Sequence, residues 1–267
     1  MTLLLVIGFC SIELFGQAPN VSYVLMEKFF PQVVDGNGWR TTFTIYNMKT
    51  SSRVGGRMRF FDSNGLPWAI QMRTLAGTFY GKELPFSLEA RASVTYETED
   101  LDRFTRQGYM VMRTELGSSG DIQIIATFRQ KTPGRNDSEA SDRAKLTIGQ
   151  NQMMPFDNTR GFSTGVAIVN PAASSSPADF LFQFYQPNGQ RGAIGVLTLQ
   201  VGEQRAFALG DQFPQSRGMS GILEIQRIGG RAGTGVESSG YDYNMSIIGL
   251  RFNPDGSFSA MPIDQPN

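Results

Sequence analysis

GNGWRTTFTIYN, Gly36 to Asn47, is the stretch that decides the fold. From Trp39 to Ile45 the odd positions are apolar or β-branched (Trp39, Thr41, Phe43, Ile45), and the even ones are polar (Arg40, Thr42, Thr44). Successive side chains of an extended chain point to opposite faces, so this alternation predicts a strand with one buried and one wet face. The stretch returns as TRGFSTGVAIVN, Thr159 to Asn170, where Ser163 to Val169 continues the pattern. Trp39 then pairs with Phe162, Thr41 with Thr164, Phe43 with Val166, Ile45 with Ile168 and Asn47 with Asn170.

Three further blocks repeat in the same order. MRFFDSNG (Met58 to Gly65) matches FQFYQPNG (Phe182 to Gly189), and LEARASVTYETEDL (Leu88 to Leu101) resembles LQVGEQRAFALGDQF (Leu199 to Phe213). IIATFRQ (Ile124 to Gln130) matches IIGLRFN (Ile247 to Asn253). The repeat is far longer than the roughly 20–50 residues of a solenoid unit, so each copy is expected to be a whole domain. KTPGRNDSEASD, Lys131 to Asp142, is polar, rich in turn-formers and without apolar periodicity, which reads as a connector. The expected layout is a domain over 21–134, a linker over 135–142 and a second domain over 143–263.

Asn64-Gly65 and Asn188-Gly189 lie between strand-like runs and predict type I′ hairpin turns, and Pro254-Asp255-Gly256 predicts a third hairpin. Gly117-Ser118-Ser119-Gly120 reads as a hairpin turn as well. No segment carries a capped helical stripe. Short strands with turn signals at this spacing predict an all-β chain of two tandem antiparallel β-sandwich domains, immunoglobulin-like in size and related by internal duplication.

Composition narrows the chemistry. The 267 residues include 24 Lys+Arg and 24 Asp+Glu, no His and one Cys. Without an imidazole, a Ser–His–Asp or Cys–His nucleophilic system has no proton shuttle, and His-rich or Cys-rich zinc sites fall for the same reason. Balanced charge gives no field to attract polyanions, so nucleic acid is not an expected partner. No cofactor or metal is expected.

At the N-terminus, Leu3 to Phe9 is an apolar run too short for a membrane span, which takes roughly 20 residues. Gly16-Gln17-Ala18 supplies small residues for cleavage after Ala18, which predicts a signal peptide over 1–18. No Lys or Arg precedes the apolar run, as that pattern would normally require. Cys10 follows Phe9, not a small residue, so lipidation is not expected, and cleavage would leave a chain without thiols. The expected location is secreted or in the cell envelope. Asn20-Val21-Ser22, Asn136-Asp137-Ser138 and Asn244-Met245-Ser246 match the glycosylation triplet, which matters only in a secreted eukaryotic protein.

FFPQVVDGNGWRTTFTIYN and MPFDNTRGFSTGVAIVNP, each followed by a hairpin ending in Asn-Gly, resemble a tandem β-sandwich repeat found in secreted bacterial proteins of unassigned function. The likeness rests on Gly38 and Gly161, Trp39 and Phe162, Asn47 and Asn170, Gly65 and Gly189, and Phe128 and Leu250. It implies an exported pair of sandwiches and carries no active site to transfer.

A position kept in both copies points to folding, and one present in a single copy to function. Trp39 and Phe162 therefore read as core aromatics, and Asn47 and Asn170 as strand-end residues bonding a turn backbone. Trp68 follows Pro67 in the first copy only and, with Tyr80, could form a platform that stacks on a sugar or a partner; covering an edge of the core is the plainer role. Glu97, Glu99, Asp100 and Asp102 supply the paired carboxylates that glycoside hydrolysis uses, yet four acids in six residues more often make a solvated loop. Asp35-Gly36-Asn37 and Asp62-Ser63-Asn64-Gly65 offer oxygen ligands of the kind calcium takes, but turns require the same residues. Gly229 to Gly240 lacks the Lys and helix of a phosphate loop and reads as a long hairpin loop open to recognition. The expected function is a non-catalytic exported module for surface contact, adhesion or assembly, with an extracellular protein or glycan as partner. A carbohydrate-binding protein is the second option and a carboxylate-based glycoside hydrolase the remote third.

Overall fold

A computed structural model describes residues 27–114, 120–143, 145–146, 151–171, 176–228 and 245–264. The signal-peptide segment with Cys10, Gly117 to Ser119 and the Gly229–Gly240 loop lie outside the described residues. The first part of the chain forms β1 (Glu27–Asp35), β2 (Trp39–Asn47), β3 (Val54–Asp62), β4 (Ile70–Thr74) and β5 (Gly77–Gly81). β6 (Glu83–Leu88), β7 (Ser93–Thr98), β8 (Arg106–Thr114), β9 (Ile122–Gln130) and β10 (Ser138–Arg143) follow. Next come β11 (Lys145–Leu146), β12 (Asn151–Asp157), β13 (Ser163–Val169), β14 (Ala178–Tyr185) and β15 (Arg191–Leu199). β16 (Gln204–Ala208), one helical turn α1 (Leu209–Gln212), β17 (Ser220–Arg227), β18 (Ser246–Phe252) and β19 (Phe258–Met261) complete the chain. Among the described residues no helix is long and apolar enough to cross a membrane.

The chain is all-β, with four antiparallel sheets arranged like two sandwiches. Sheets β11-β1-β8-β3-β6 and β10-β9-β2-β7-β4-β5 enclose a core that includes Phe30, Phe43, Ile45, Met58, Phe60 and Phe128. Sheets β12-β17-β14-β15 and β16-β13-β18-β19 enclose a second, with Phe156, Ile168, Phe180, Phe182, Phe184 and Leu223. In β2 the alternation read from the sequence becomes alternating burial: Phe43 and Ile45 are fully buried and Thr42 and Thr44 half-exposed.

The two sheet pairs place their strands in the same order. β1-β8-β3-β6 corresponds to β12-β17-β14-β15, and β10-β9-β2-β7 to β19-β18-β13-β16. The first pair differs by the β4–β5 hairpin, which widens its second sheet, and by β11, which pairs with β1 on its first. Register corrects one sequence pairing. Phe128 lies opposite Thr41, and Arg251 lies opposite Thr164, so the positional counterpart of Phe128 is Arg251 and not Leu250.

Several local expectations give way to the structure. Ser138 to Asp142, whose polar composition reads as connector, is part of strand β10 (Ser138–Arg143), because its backbone completes the free edge of β9. Asn64-Gly65 and Asn188-Gly189 do not make type I′ turns, since only the glycines have positive φ (81° in both). Instead Gly65 N–H donates to Asp62 O (3.0 Å) and Gly189 N–H to Gln186 O (2.8 Å), a four-residue turn closed by a left-handed glycine. Asn253 to Gly256 repeats that turn between β18 and β19, as the predicted hairpin requires. Gly120 does not close a hairpin between β8 and β9, because those strands belong to different sheets.

β13 departs from alternation for a physical reason. Every residue from Thr164 to Val169 is buried: Val166 and Ile168 face the second core, while Ala167 and Val169 face the first sheet pair. Phe29, Phe61, Tyr109 and Val111, on the outer face of the first sheet, pack against Val169. Gln204 locks the contact, its N–H donating to Ser63 O (2.9 Å) and its Nε2 to Pro31 O (3.1 Å) and Gln32 Oε1 (2.7 Å).

Lys28 is buried and donates through Nζ to Ile122 O, and burial lowers its pKa. The folded chain therefore gives up this proton at a lower pH than the unfolded chain does. Between those two values the unfolded state binds more protons, so stability rises with pH until the ordinary lysine range is passed. Lys28→Met is expected to flatten that rise and to add on the order of 1 kcal/mol at neutral pH, read from urea denaturation at several pH values.

Candidate functional site

The two shared asparagines do what strand-end residues do. Asn47 Nδ2 donates to Ser52 O (2.9 Å), Leu88 O (3.2 Å) and Glu89 O (2.9 Å). Asn170 Nδ2 donates to Ser176 O (3.1 Å), Leu199 O (3.2 Å) and Gln200 O (3.1 Å). Each carboxamide ties the end of one strand to the chain leaving the facing sheet. The threonines match likewise: Thr41 Oγ1 donates to Val34 O (2.7 Å) and Thr164 Oγ1 to Asp157 O (3.1 Å).

Trp68 and Tyr80 do not form a platform. Trp68 is 2% exposed and lies in the first core with Ile70 and Met72, with Arg106 stacked at 4.9 Å from its ring. Tyr80 lies opposite Gln71 in the β4–β5 ladder and is 70% exposed on the outer side. The sheet stands between them, so Trp68 offers no surface for stacking. Its burial follows from the turn itself: its N–H donates to Phe60 O (2.9 Å), which folds the segment back along β3.

The acidic stretch is divided among separate partners. Glu97 pairs with Arg73 (2.6 Å) and, more loosely, Arg40 (3.8 Å), and Glu99 accepts from Gln71. Asp100 Oδ1 accepts Gly38 N–H (2.8 Å), and Asp102 pairs with Arg106 (3.5 Å). Asp35 stands at the centre of this group: burial raises its pKa, although the Thr98 hydroxyl and Asp100 N–H favour its charged form. Asp62 serves its turn, Oδ1 accepting N–H bonds from Asn64 and Leu66 (both 2.9 Å). In the second sheet pair burial alone would raise the Asp157 carboxyl, yet Thr159 and Arg251 (3.1 Å) hold it below its ordinary value. Arg251 also stacks over Phe162 at 4.0 Å.

A cleft of about 300 Å³ opens where the sheet pairs meet. One wall is Val34, Trp39 and Phe128, and the other is Gly165, Ala167, Ala206, Ala208, Leu250 and Phe252. Its polar side chains are Gln32, Thr105 and Gln107, and among the described residues no ionisable side chain lines it. Trp39, expected in the core, is only half-buried here and stacks on Phe258 of the second pair at 5.3 Å. It follows the Gly36–Gly38 turn, so it sits at the sheet's end and covers the junction rather than the centre. The small residues Gly165, Ala167, Ala206 and Ala208 leave the space that Trp39 and Phe252 frame. Sequence reasoning missed this cleft because its walls lie more than a hundred residues apart, although the small residues at alternate positions of β13 and β16 were visible.

No protein-family model matches the chain, and no curated protein shows a significant match to it.

Proposed function

We propose that the protein is a non-catalytic exported module for surface contact, adhesion or assembly, and that the cleft between its sheet pairs takes an apolar part of an extracellular protein. The observation that carries this reading is the cleft's chemistry: aromatic and aliphatic walls, three neutral polar side chains and, among the described residues, no ionisable one. Sites of this kind bind by burial, with a few polar groups fixing orientation. Acid–base chemistry needs a titratable group within reach of the substrate. The acids of Glu97 to Asp102 have arginine, amide or backbone partners instead, which favours contact over glycoside hydrolysis.

We further propose that the two sheet pairs arose by internal duplication of an immunoglobulin-like sandwich. Matching strand order, the paired Asn47 and Asn170 contacts and the paired Thr41 and Thr164 contacts support the duplication. Size and two-layer build support the immunoglobulin likeness. Each first strand pairs with β8 or its counterpart β17 and not with the second strand. The resemblance to the exported tandem repeat and the N-terminal apolar run support the location.

Tyr80 sustains carbohydrate binding as a second reading, because it is an exposed ring flanked by Gln71, Arg73, Glu97 and Glu99 on one broad sheet face. One experiment separates the two. Labelled chain is tested for retention on solubilised envelope proteins and on insoluble polysaccharides, beside Ala206→Phe, which fills the cleft, and Tyr80→Ala. Contact through the cleft predicts retention on protein that Ala206→Phe reduces tenfold or more, about 1.4 kcal/mol, and Tyr80→Ala leaves alone. Retention on polysaccharide that only Tyr80→Ala removes would select the second reading.

A further inference from the structure

Strand β15 differs from the other sheet edges among the described residues. Its counterpart β6 carries Pro85, which has no N–H, and Glu83, paired with Arg57 at 2.7 Å and Arg59 at 3.5 Å. β12 carries Pro155, and its Met153 exchanges backbone bonds with Asp264 (2.8 and 2.9 Å). β16 is held to the first sheet pair through Gln204, β10 and β19 face one another, and β5 is five residues long with glycine at both ends. β15 is RGAIGVLTL, nine residues without proline and with one charge, Arg191, at its start. Natural edges are ordinarily blunted by proline, charge or cover, because unpaired N–H and C=O groups template further pairing.

We infer that the β15 edge is a docking strand for a second copy of this chain. Gln215 Nε2 donates to Ile194 O at 3.0 Å, so the backbone groups of Ile194 turn away from β14. By antiparallel alternation those of Val196 and Thr198 do too. A two-fold axis through Gly195 sets Ile194 of each copy opposite Val196 of the other, and these residues exchange N–H···O bonds. The same register joins their outer side chains, which are 56% and 53% exposed. Charge is complementary in this arrangement. Asp179 neighbours Thr198 across β14–β15 and accepts its hydroxyl at 2.6 Å, whereas Arg191 lies at the opposite end. The axis brings Arg191 of each copy to the Asp179 end of the other, so the patch fits itself as an isologous interface must. Gln215 is exposed and occupies one acceptor of this edge, a stopper that the second copy's Val196 N–H displaces. The inference is independent of the cleft, which lies on the other sheet of the same pair.

Sedimentation velocity of the full chain across a range of concentrations tests it. The expected result is a concentration-dependent dimer that Val196→Lys abolishes and Gln215→Ala strengthens, with the melting temperature of each variant showing that it folds. Arg191→Asp and Asp179→Arg singly are expected to lose the dimer, and the double variant to regain it. A monomer at every concentration, a dimer indifferent to Val196→Lys, or a double reversal that fails to restore association would overturn the pairing.

Discussion

Asn47→Ala is expected to lower the stability of the chain by roughly 3–5 kcal/mol, read from chemical denaturation. The side chain is 3% exposed and its Nδ2 reaches three carbonyls, while its Oδ1 accepts Lys49 N–H at 2.9 Å. Alanine leaves these groups without a partner and without ready access to water, and an unsatisfied buried acceptor costs about 1–3 kcal/mol. Asn170→Ala is expected to cost a similar amount, because Ser176, Leu199 and Gln200 lose the same donor. Asn47→Asp keeps the shape but turns the donor into an acceptor facing carbonyls, so it is expected to cost at least as much as alanine. A loss below about 1 kcal/mol at either site would mean that the carboxamides do not tie the strand ends.

Gly108→Ala and Gly221→Ala are expected to destabilise by roughly 3 kcal/mol each. A Cβ on Gly108 would lie 2.0 Å from Phe61 O, and one on Gly221 would lie 2.0 Å from Tyr185 O. Both obstacles are backbone atoms of the neighbouring strand, so no side chain can swing aside. Gly221 has the further burden of φ 147°, which L-residues rarely adopt. Gly120→Ala is the matched control, since a Cβ there meets nothing within 4 Å, and it is expected to shift stability by no more than about 0.5 kcal/mol. Thermal melts of the three variants decide the matter. Equal melting temperatures would show that the sheets relax around the added methyl.

The strands were legible in the sequence because alternation is a direct imprint of a two-faced sheet. Trp39 to Ile45 carries it, and Asn47 and Asn170, kept in both copies at a strand end, predict a backbone-bonding role. Other features were legible in part. The run Gly165-Val166-Ala167-Ile168-Val169 breaks alternation because both faces of β13 are covered, the imprint of the contact between sheet pairs. Ser138 to Arg143 shows why composition misleads at an edge: an outer strand can be polar throughout and still pair through its backbone. Trp68 shows the converse. Its place after a tight turn fits exposure, yet that turn folds back on β3, where Trp68 N–H donates to Phe60 O, and the ring is buried in the core. The glycines at 108 and 221 gave no local signal, since the carbonyls that exclude a side chain come from strands 47 and 36 residues away. Nor could the cleft be read locally, because Trp39 and Ala206 meet only through the packing of one sheet pair on the other.

Of the two tryptophans, Trp68 is 2% exposed, whereas Trp39 is half-buried and lines the cleft. Acrylamide quenching of tryptophan emission therefore reports chiefly on the cleft. Measured on the chain before and after it binds solubilised envelope proteins, quenching is predicted to fall as the partner covers Trp39. Unchanged quenching in a chain shown to be bound would contradict contact through the cleft.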